Sequence, residues 1–397
     1  MPIRKLCDGN EAAAYGVKLS KPEVMAVYPI SPQTPLANRL ASWVATGEIK
    51  AKYVTVESEH AAMSVLAGAS AAGARTFTAS SSQGIVFMEE LIWQVAGRRL
   101  PVVMAIVNRT IAWPSGLRPE HTDALLQRDS GWILIFCENS QEVLDTCIQA
   151  YKIAEDERVY LPVAFCYDGY EISHCSIPIE IPDQDDVDDF LPPYEHKYVY
   201  LDVDRPLMVR EHLSGPGWDC RMETRYQVDE AMKNARKVIK EVGEEYGKRF
   251  GRSYGLIEKY KCDNARAVLI TMGAITGVAK YVVDKMQEDG KPIGVVKLRV
   301  FRPFPVEELR EMAKEVEAIG VIDRNISYGS AGGGIGCVEI ARALYHMEER
   351  PLLAGFYAGL AGREVLPSHI EYAAEKLLKI CEKGKVEKEI EWIGLRR

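Results

Sequence analysis

Closely spaced cysteines are missing from this sequence of 397 residues. It has nine cysteines and no C-x-x-C pair; the cysteines lie at positions 7, 137, 147, 166, 175, 220, 262, 337 and 381. Iron–sulfur clusters and structural zinc ions draw on closely spaced cysteines, so we expect this chain alone to hold neither. The odd number also argues against a disulfide framework. We predict reduced thiols that pack as small hydrophobic side chains.

The sequence also has little net charge and no long hydrophobic run. Lys and Arg together number 49, and Asp and Glu number 57, which gives a formal net charge of −8. Nucleic-acid-binding proteins normally carry a basic surface, so we expect no nucleic-acid partner. No apolar stretch is long enough to cross a bilayer, and the first residues lack the apolar core of a secretion signal. We therefore expect a cytoplasmic protein that does not bind a membrane.

Over residues 1–176 the sequence contains a regular alternation of apolar strands and helices. Strands are predicted at residues 23–28, 53–56, 76–79, 102–107, 133–136 and 163–167. Helices are predicted at residues 11–18, 34–45, 60–72, 84–96 and 142–154. Such alternation is typical of a parallel sheet with helices on both faces, so we expect an α/β domain here.

Two further regions follow. Residues 177–255 begin with a Pro- and acid-rich stretch, predicted to be an extended connector whose acidic run, 183–189, is a solvated turn. The connector leads into a charged helix over residues 223–249.

Residues 256–397 are predicted to form a second, smaller α/β domain. Its strands are predicted at 267–272, 294–299 and 319–323, and its helices at 276–288, 306–316, 338–345 and 369–382.

Polar residues gather where the strands of the first domain end, and open parallel sheets bind ligands at this edge. Ser31, Glu59, Ser82 and Arg109 each follow one of these strands. Ser31 and Ser82, like Ser140, also stand where a helix N-cap belongs, which leaves a purely structural role open for them. An arginine that follows a buried strand needs a partner, so a structural role is the weaker interpretation for Arg109.

A glycine-rich stretch, residues 331–336, follows a predicted strand of the second domain. It is a weak dinucleotide fingerprint, because no complete βαβ unit with the expected acidic residue accompanies it. We interpret it as a tight turn before a helix. An NAD(P)-dependent oxidoreductase that uses this stretch is the alternative from another enzyme class.

The order of several short motifs resembles a known family. The motifs are GNEAA (9–13), YPISPQT (28–34), VESEHA (56–61), GARTFTA (73–79), SSQG (81–84), NR (108–109), QRDSGW (127–132), FRPFP (301–305), DRN (323–325), GLAGRE (359–364) and KEIEW (388–392). Over nearly the whole chain they resemble the α subunit of multi-subunit 2-oxoacid:ferredoxin oxidoreductases, the group that acts on pyruvate and branched-chain 2-oxoacids.

This resemblance implies thiamine diphosphate chemistry. The α subunit of the family supplies the domain that holds the aminopyrimidine ring, followed by a transketolase C-terminal-like domain, and these match residues 1–176 and 256–397. The diphosphate and its Mg²⁺ are expected in a separate β subunit, and [4Fe-4S] clusters in partner subunits, so no metal site is expected in this chain. The implied partners are β, γ and δ subunits, ferredoxin, a 2-oxoacid and coenzyme A.

The resemblance also implies roles for individual residues. Glu59 matches the carboxylate that hydrogen-bonds N1′ of the aminopyrimidine and favours the imino form that removes the thiazolium proton. Arg109 matches the residue that binds the substrate carboxylate, and Ser31 matches a threonine that hydrogen-bonds the substrate. A structural ion pair for Arg109 and a helix cap for Ser31 are the alternatives. The other residues expected to contact the cofactor are Tyr28, Pro29, Ser82 and Gln83.

The loop that follows Arg109 departs from the family pattern. It keeps Asp123 at its end, but Trp113, Arg118 and His121 are unusual. We predict that Trp113 and Asp123 belong to a substrate loop, where Trp113 closes the pocket around pyruvate, faces a larger 2-oxoacid or is buried in a subunit contact.

The predicted reaction converts pyruvate to acyl-CoA and CO₂ with reduction of ferredoxin. A 2-oxoisovalerate or arylglyoxylate enzyme and a non-catalytic scaffold subunit are the alternatives.

Overall fold

The computed structural model describes residues 2–197, 201–204 and 220–396. The strands are β1 (Ile3–Cys7), β2 (Val24–Ala26), β3 (Lys52–Val54), β4 (Thr76–Ser80), β5 (Val103–Asn108), β6 (Ile133–Phe136), β7 (Val163–Asp168), β8 (Ile177–Ile181), β9 (Ile257–Tyr260), β10 (Ala267–Thr271), β11 (Ile293–Leu298), β12 (Val300–Arg302), β13 (Ala318–Asp323), β14 (Leu352–Tyr357) and β15 (Ile390–Trp392). The α-helices are α1 (Gly9–Ser20), α2 (Thr34–Ala45), α3 (Glu59–Ala71), α4 (Gln83–Phe87), α5 (Glu89–Gly97), α6 (Thr122–Leu125), α7 (Ser140–Glu155), α8 (Gln184–Phe190), α9 (Cys220–Phe250), α10 (Ile275–Glu288), α11 (Val306–Ala313), α12 (Ile335–Leu344) and α13 (Pro367–Lys383).

The first sheet has seven strands in the order β12-β6-β7-β5-β4-β2-β3. β12 is antiparallel to β6, and the other strands run parallel to one another. All six strands predicted for residues 1–176 are present, because their apolar runs suit strands that are covered on both faces. The chain passes from β2 to β3 on one side and returns to β4 on the other, so the strand order reverses between β2 and β4. The predicted α/β class is confirmed.

The second sheet has six strands in the order β15-β14-β13-β10-β11-β9. β9 is antiparallel to β11, and the other strands are parallel. The three strands predicted for this region, β10, β11 and β13, are adjacent in the sheet, and its four predicted helices correspond to α10–α13. A second, smaller α/β unit is therefore present. The exact domain boundaries stay a prediction, since β12 comes from the third predicted region but extends the first sheet.

One apolar cluster includes buried side chains of both units. Leu66 of α3 and Ile92 of α5 belong to it together with Ile270 of β10, Val296 of β11 and Ile340 of α12. Burial of a side chain of this size stabilises the fold by about 1.5–3 kcal/mol. The cluster therefore holds the first sheet and its helices against the second unit, and this contact matters for the site described below.

The region predicted as a connector contains more structure than the sequence indicated. β8 pairs with β1 in a two-stranded antiparallel sheet, and the acidic run forms helix α8 instead of a turn. The helix buries Val187 and Phe190, and two exposed ion pairs add to it, Lys21 with Asp188 at 2.5 Å and Arg249 with Asp189 at 3.1 Å. The last part of the connector, residues 205–219, lies outside the described residues. The predicted helix 84–96 is two helices, α4 and α5, separated by Met88.

Most of the described cysteines are buried thiols, as predicted from the sequence. The eight cysteines of the described residues are free thiols, and Cys175 is exposed while the other seven are buried. Cys220 begins α9, and its side chain lies outside the described part of the chain. Among the described residues, none of the helices has the length and apolarity needed to span a membrane.

Candidate active site at the carboxyl edge of the first sheet

The carboxyl ends of the parallel strands bring the predicted site residues to one edge of the first sheet. Tyr28 follows β2, Glu59 follows β3, Ser82 follows β4 and Arg109 follows β5. Gln33, which sequence reasoning gave no role, ties β2 to β4 where the strand order reverses. Its side-chain Nε2 donates to Tyr28 O at 2.7 Å and to Ala79 O at 3.3 Å, while its buried Oε1 has no partner in the described ranges.

Glu59 lies at the first position of α3. The Ser58 side chain caps this helix, because its Oγ accepts the Ala61 N–H at 3.1 Å. Glu59 is 7% exposed, and a Cβ on Gly84 would lie 2.5 Å from Glu59 Oε1 and would also collide with Ser80 Oγ. Ser80 Oγ is buried without a partner, and within the described ranges the Glu59 carboxyl group forms no hydrogen bond or ion pair. Buried polar groups normally have partners, so these atoms are available to a ligand.

Ser82 has a strained backbone, with φ 50° and ψ −122°. Residues other than glycine rarely adopt such values unless neighbouring contacts enforce them. The Ser82 N–H donates to Asp123 Oδ2 at 3.0 Å. The hydroxyl lies against two acceptors, Thr110 O and Gln83 Oε1, and can donate its one proton to either. Ser82 occupies the N-cap position of α4, as predicted, but its side chain makes no capping hydrogen bond and therefore does not cap the helix.

The N-cap interpretation is wrong for Ser31 and Ser140. Gln33 precedes α2, and Asn139 caps α7 by accepting the Glu142 N–H at 3.0 Å. Ser31 is exposed, and its backbone carbonyl accepts a hydrogen bond from Arg109 Nη1 at 2.8 Å. The predicted substrate contact of the Ser31 hydroxyl and the predicted cofactor contacts of Tyr28, Pro29 and Gln83 stay predictions; Pro29 and Gln83 are exposed and Tyr28 is partly buried.

Asp123 is completely buried and connects the ends of β4 and β5. Asn108 Nδ2 and the Ala124 N–H both donate to its Oδ1 at 2.8 Å, and the N–H groups of Arg109 and Ser82 donate to Oδ2 at 2.9 and 3.0 Å. Burial raises the pKa of Asp123 to about 6, and the four donors oppose that rise. Asn108 is a second residue to which the sequence alone gave no role. The available signal was an amide side chain at the end of an apolar strand, directly before Arg109.

The Arg109 guanidinium is partly buried and has no carboxylate partner among the described residues. It donates to two carbonyls instead, from Nε to Gly116 O at 3.1 Å and from Nη1 to Ser31 O at 2.8 Å. Burial lowers the pKa of Arg109, and the nearby Asp123 charge opposes that shift. The alternative of a structural ion pair is therefore not supported, and a partly desolvated cation of this kind favours an anionic ligand.

The tip of the loop after Arg109 projects into solvent. Thr110 Oγ1 donates to Gly116 O at 2.7 Å and accepts the Gly116 N–H at 2.8 Å, which closes the loop at its base. Trp113 at the tip is 89% exposed. In this chain Trp113 does not cover the site, and its place in the substrate loop stays a prediction, as does that of Asp123.

The glycine-rich stretch 331–336 of the second domain is a turn before α12, as predicted from the sequence. The N–H groups at the start of α12 are already bonded, those of Gly336 and Cys337 to the Asp323 carboxylate at 3.1 and 3.0 Å and that of Ile335 to Asn325 Oδ1 at 2.7 Å. These internal contacts occupy the donors that a dinucleotide phosphate would need.

Two family models match the chain. The model for pyruvate flavodoxin/ferredoxin oxidoreductase, thiamine diphosphate-binding, matches residues 15–244, and the model for pyruvate:ferredoxin oxidoreductase core domain II matches residues 265–370. The first match contains all of the site residues described above.

Curated proteins are similar over the full length of the chain. Pyruvate synthase subunit PorA of Pyrococcus abyssi is 47% identical over 397 residues, which cover 100% of this chain and 99% of that protein. The PorA subunit of Methanocaldococcus jannaschii is 44% identical, with 99% and 98% covered. Ketoisovalerate oxidoreductase subunit VorA of Pyrococcus furiosus is also 44% identical, with 100% and 99% covered.

Solved structures share the fold at low sequence identity. The 2-oxoglutarate:ferredoxin oxidoreductase from Magnetococcus marinus, solved with 2-oxoglutarate, coenzyme A and succinyl-CoA bound, superposes with a TM-score of 0.70 at 17% identity. The alignment covers 96% of this chain and 65% of that longer chain. A split-gene transketolase, an inactive β4 tetramer, superposes with a TM-score of 0.53 at 15% identity, with 92% and 97% covered.

Proposed function

The chain belongs to the pyruvate flavodoxin/ferredoxin oxidoreductase family, and from this premise we propose that it is the α subunit of a thiamine-diphosphate-dependent 2-oxoacid:ferredoxin oxidoreductase that acts on pyruvate. One observation carries the proposal. At one sheet edge lie the partly buried Arg109 guanidinium and the Glu59 carboxyl group, and among the described residues the first has no carboxylate partner and the second has no partner. In the overall reaction the 2-oxoacid loses CO₂, coenzyme A takes the acyl group, and ferredoxin takes two electrons.

The residues around Glu59 fit the aminopyrimidine ring of thiamine diphosphate. The Glu59 carboxyl group is buried, lacks a partner in the described residues, and lies against the bare backbone of Gly84, where a side chain would fill the space. When bound, thiamine diphosphate supplies the carbon nucleophile for the 2-oxo group and the electron sink for decarboxylation. Glu59 would share a proton with a ring nitrogen of the pyrimidine, and the buried Ser80 hydroxyl offers a further polar contact.

Arg109 would bind the carboxylate of the 2-oxoacid. Its Nε and Nη1 are engaged by carbonyls, which fix the plane of the guanidinium, and Nη2 has no protein acceptor in the described part of the chain. A charge-assisted hydrogen bond to a carboxylate is worth more than one to a neutral carbonyl, so an anionic substrate gains most from this site. Arg109 also contacts the backbone carbonyl of Ser31, so the exposed Ser31 hydroxyl is close to the guanidinium and would donate to the same substrate.

Pyruvate is the substrate that the relatives favour. The PorA subunits of three Pyrococcus species are 45–47% identical, whereas the VorA subunits of the same species are 42–44% identical. The difference is small, and the loop tip with Trp113 lies outside the site in this chain. A branched-chain 2-oxoacid such as 2-oxoisovalerate is therefore the second candidate.

Partner subunits complete the enzyme in this proposal. The curated relatives are named as subunits, and the described residues contain no group of three or more metal-ligating side chains. We propose that a β subunit binds the diphosphate and Mg²⁺, and that partner subunits of the β, γ and δ types carry the iron–sulfur clusters and the contacts to ferredoxin and coenzyme A.

The test uses the complex purified anaerobically with its partner subunits. Reduction of ferredoxin or a viologen dye is followed with pyruvate, 2-oxoisovalerate, 2-oxoglutarate and phenylglyoxylate, with and without coenzyme A. We expect pyruvate to give the highest kcat/KM, and only when coenzyme A is present. A complex that contains thiamine diphosphate but reduces the dye with none of these acids would overturn the proposed function.

A further inference from the structure

We propose that His121 is a positioning residue through which the second α/β domain sets the orientation of Arg109. The inference rests on the proposed function, in which Arg109 binds the 2-oxoacid carboxylate. In the described part of the chain, His121 has no hydrogen bond or ion pair to Glu59 or Arg109. It acts through Asp123, two residues further along the chain.

His121 is bonded to Asp168 inside the protein. His121 Nε2 lies 2.8 Å from Asp168 Oδ1, and the two residues are 1% and 0% exposed. Because a carboxylate oxygen accepts, Nε2 of His121 carries a proton; the buried Nδ1 has no partner within the described part of the chain. Asp168 ends β7, the neighbour of β5 in the first sheet, so this contact fixes the loop relative to the strand beside Arg109.

The second domain holds the same pair from the other side. Asp168 Oδ2 accepts the Ala274 N–H at 2.6 Å, and the His121 N–H donates to Arg324 O at 2.8 Å. Gly273 passes so close that a Cβ there would lie 2.6 Å from Asp168 Oδ2 and 2.9 Å from His121 Nε2. The φ of Gly273, +63°, also favours glycine. A glycine at this position therefore lets the backbone of the second domain approach Asp168 and His121 closely.

Electrostatics keep the acceptor charged. Burial by itself raises the pKa of Asp168, but the charge and hydrogen bond of His121 and the charge of Arg324 outweigh burial and lower it. Arg324 Nη1 lies 3.7 Å from Asp168 Oδ2. The same guanidinium donates to Glu171 from Nη1 at 2.6 Å and from Nη2 at 2.5 Å. The pair is thus embedded in an ionic cluster that joins the two domains, in which Asp168 and Arg324 are fully buried and Glu171 is partly exposed.

The contact reaches Arg109 through a short, bonded segment. Residues 120–123 are held by the second domain at Glu120, whose Oε2 accepts the Ala361 N–H at 2.7 Å, and at His121. At the other end of the segment, Asp123 accepts the N–H of Arg109 at 2.9 Å. Gly116 of the same loop accepts a hydrogen bond from Arg109 Nε at 3.1 Å, so a shift of the loop would move both the backbone and the guanidinium of Arg109.

The first arm of the test measures pyruvate kinetics in the assembled complex. His121→Leu removes the donor to Asp168, whereas His121→Gln keeps a side-chain N–H where Nε2 lies. We expect His121→Leu to raise the KM for pyruvate about 10- to 100-fold with a much smaller change in kcat, because a small misplacement of a binding group has an effect of this size. His121→Gln should recover most of the loss, and the exposed His346→Leu serves as the matched control.

The second arm does not depend on activity. Hydrogen exchange of the Arg109 and Ser82 amides, which both donate to Asp123, is compared in the wild-type and variant complexes. We expect His121→Leu to speed their exchange while the amides of β5 residues 104–106 stay protected. If His121→Leu does not assemble, His121→Asn replaces it, because its shorter amide cannot reach Asp168.

The outcomes separate the inference from the proposed function. An unchanged KM or unchanged exchange of the Arg109 amide in the variant would overturn the role of His121 and leave the proposed function intact. A loss confined to kcat would also overturn it. A wild-type complex that uses no 2-oxoacid would overturn the proposed function, and the exchange arm would then still decide whether His121 holds Arg109.

Discussion

The backbone N–H of Arg109 donates to Asp123 Oδ2 at 2.9 Å. The same oxygen accepts the N–H of Ser82 at 3.0 Å, so one buried carboxylate holds the ends of two adjacent parallel strands. The strained backbone of Ser82 and the carbonyl-bound guanidinium of Arg109 both depend on loop segments that Asp123 fixes. Contacts within the chain therefore fix the ends of these strands, and the predictions below follow from these contacts.

Replacement of Glu59 tests the predicted proton-sharing group. Glu59→Gln keeps the size of the side chain but removes the carboxyl group, so turnover of the complex should fall by about 10²–10⁴-fold, the usual contribution of an acid–base group. Assembly should persist, as gel filtration would show. Glu57→Gln, two residues away at an exposed position, is the matched control and should leave turnover unchanged. Normal turnover in Glu59→Gln would remove this residue from the site.

Replacement of Arg109 tests the predicted substrate contact. A hydrogen bond to a charged partner contributes about 1.5–3 kcal/mol, so Arg109→Ala should raise the KM for pyruvate by at least about 10-fold. Binding of thiamine diphosphate, measured by calorimetry on the complex, should change little. The exposed Arg342→Ala serves as the control. Equal losses of pyruvate and thiamine diphosphate affinity would contradict a carboxylate-binding role.

Asp123 should make the stability of the protein depend on pH in a definite direction. Its pKa in the folded protein is about 6, against an ordinary value of 3.8. Because the folded state binds the proton more tightly, the stabilisation from this proton is full below about pH 4 and is lost as the pH rises through about 6. Relative to Asp123→Asn, the wild-type protein should lose up to about 3 kcal/mol between pH 4 and pH 7. Thermal unfolding of both proteins over this range measures the difference; a difference that does not vary with pH would contradict the shifted pKa.

Gly84 should tolerate no side chain, because a Cβ there would collide with Glu59 and Ser80. Gly84→Ala is expected to cost about 1–3 kcal/mol of stability through overpacking and to displace the Glu59 carboxyl group, which lowers turnover. Gly68→Ala, in the same helix as Glu59, is the control, since a Cβ there meets nothing within 4 Å. That change should stabilise the helix by up to about 1 kcal/mol. Full activity in Gly84→Ala would show that this glycine does not shape the site.

The parallel strands of the first sheet, and β10, β11 and β13 of the second, could be predicted from the sequence because they are continuous apolar runs. β14 and β15 are also parallel strands, but they were not predicted from the sequence. β12 could not be predicted, because a strand of three residues is too short to show a hydrophobic pattern. Its pairing with β6 also depends on how the two domains meet. The acidic run gave no sign of α8, since two of its charges, those of Asp188 and Asp189, pair with Lys21 and Arg249, which are distant in sequence.

The site was predictable in part. Glu59 and Arg109 follow apolar strands in the sequence, and the family resemblance singled them out. The link from Asp123 to Ser82 and Arg109 could not be predicted, because it depends on three segments that meet in the folded chain. The contact of His121 with Asp168 was hidden for the same reason, as 47 residues separate them.

The most direct measurement is an anaerobic structure of the assembled complex with thiamine diphosphate and pyruvate. We predict that the Glu59 carboxyl group lies within hydrogen-bonding distance of the aminopyrimidine ring and that the Arg109 guanidinium contacts the pyruvate carboxylate. A pyrimidine ring bound away from Glu59, or a pyruvate carboxylate bound by another cation, would contradict the account.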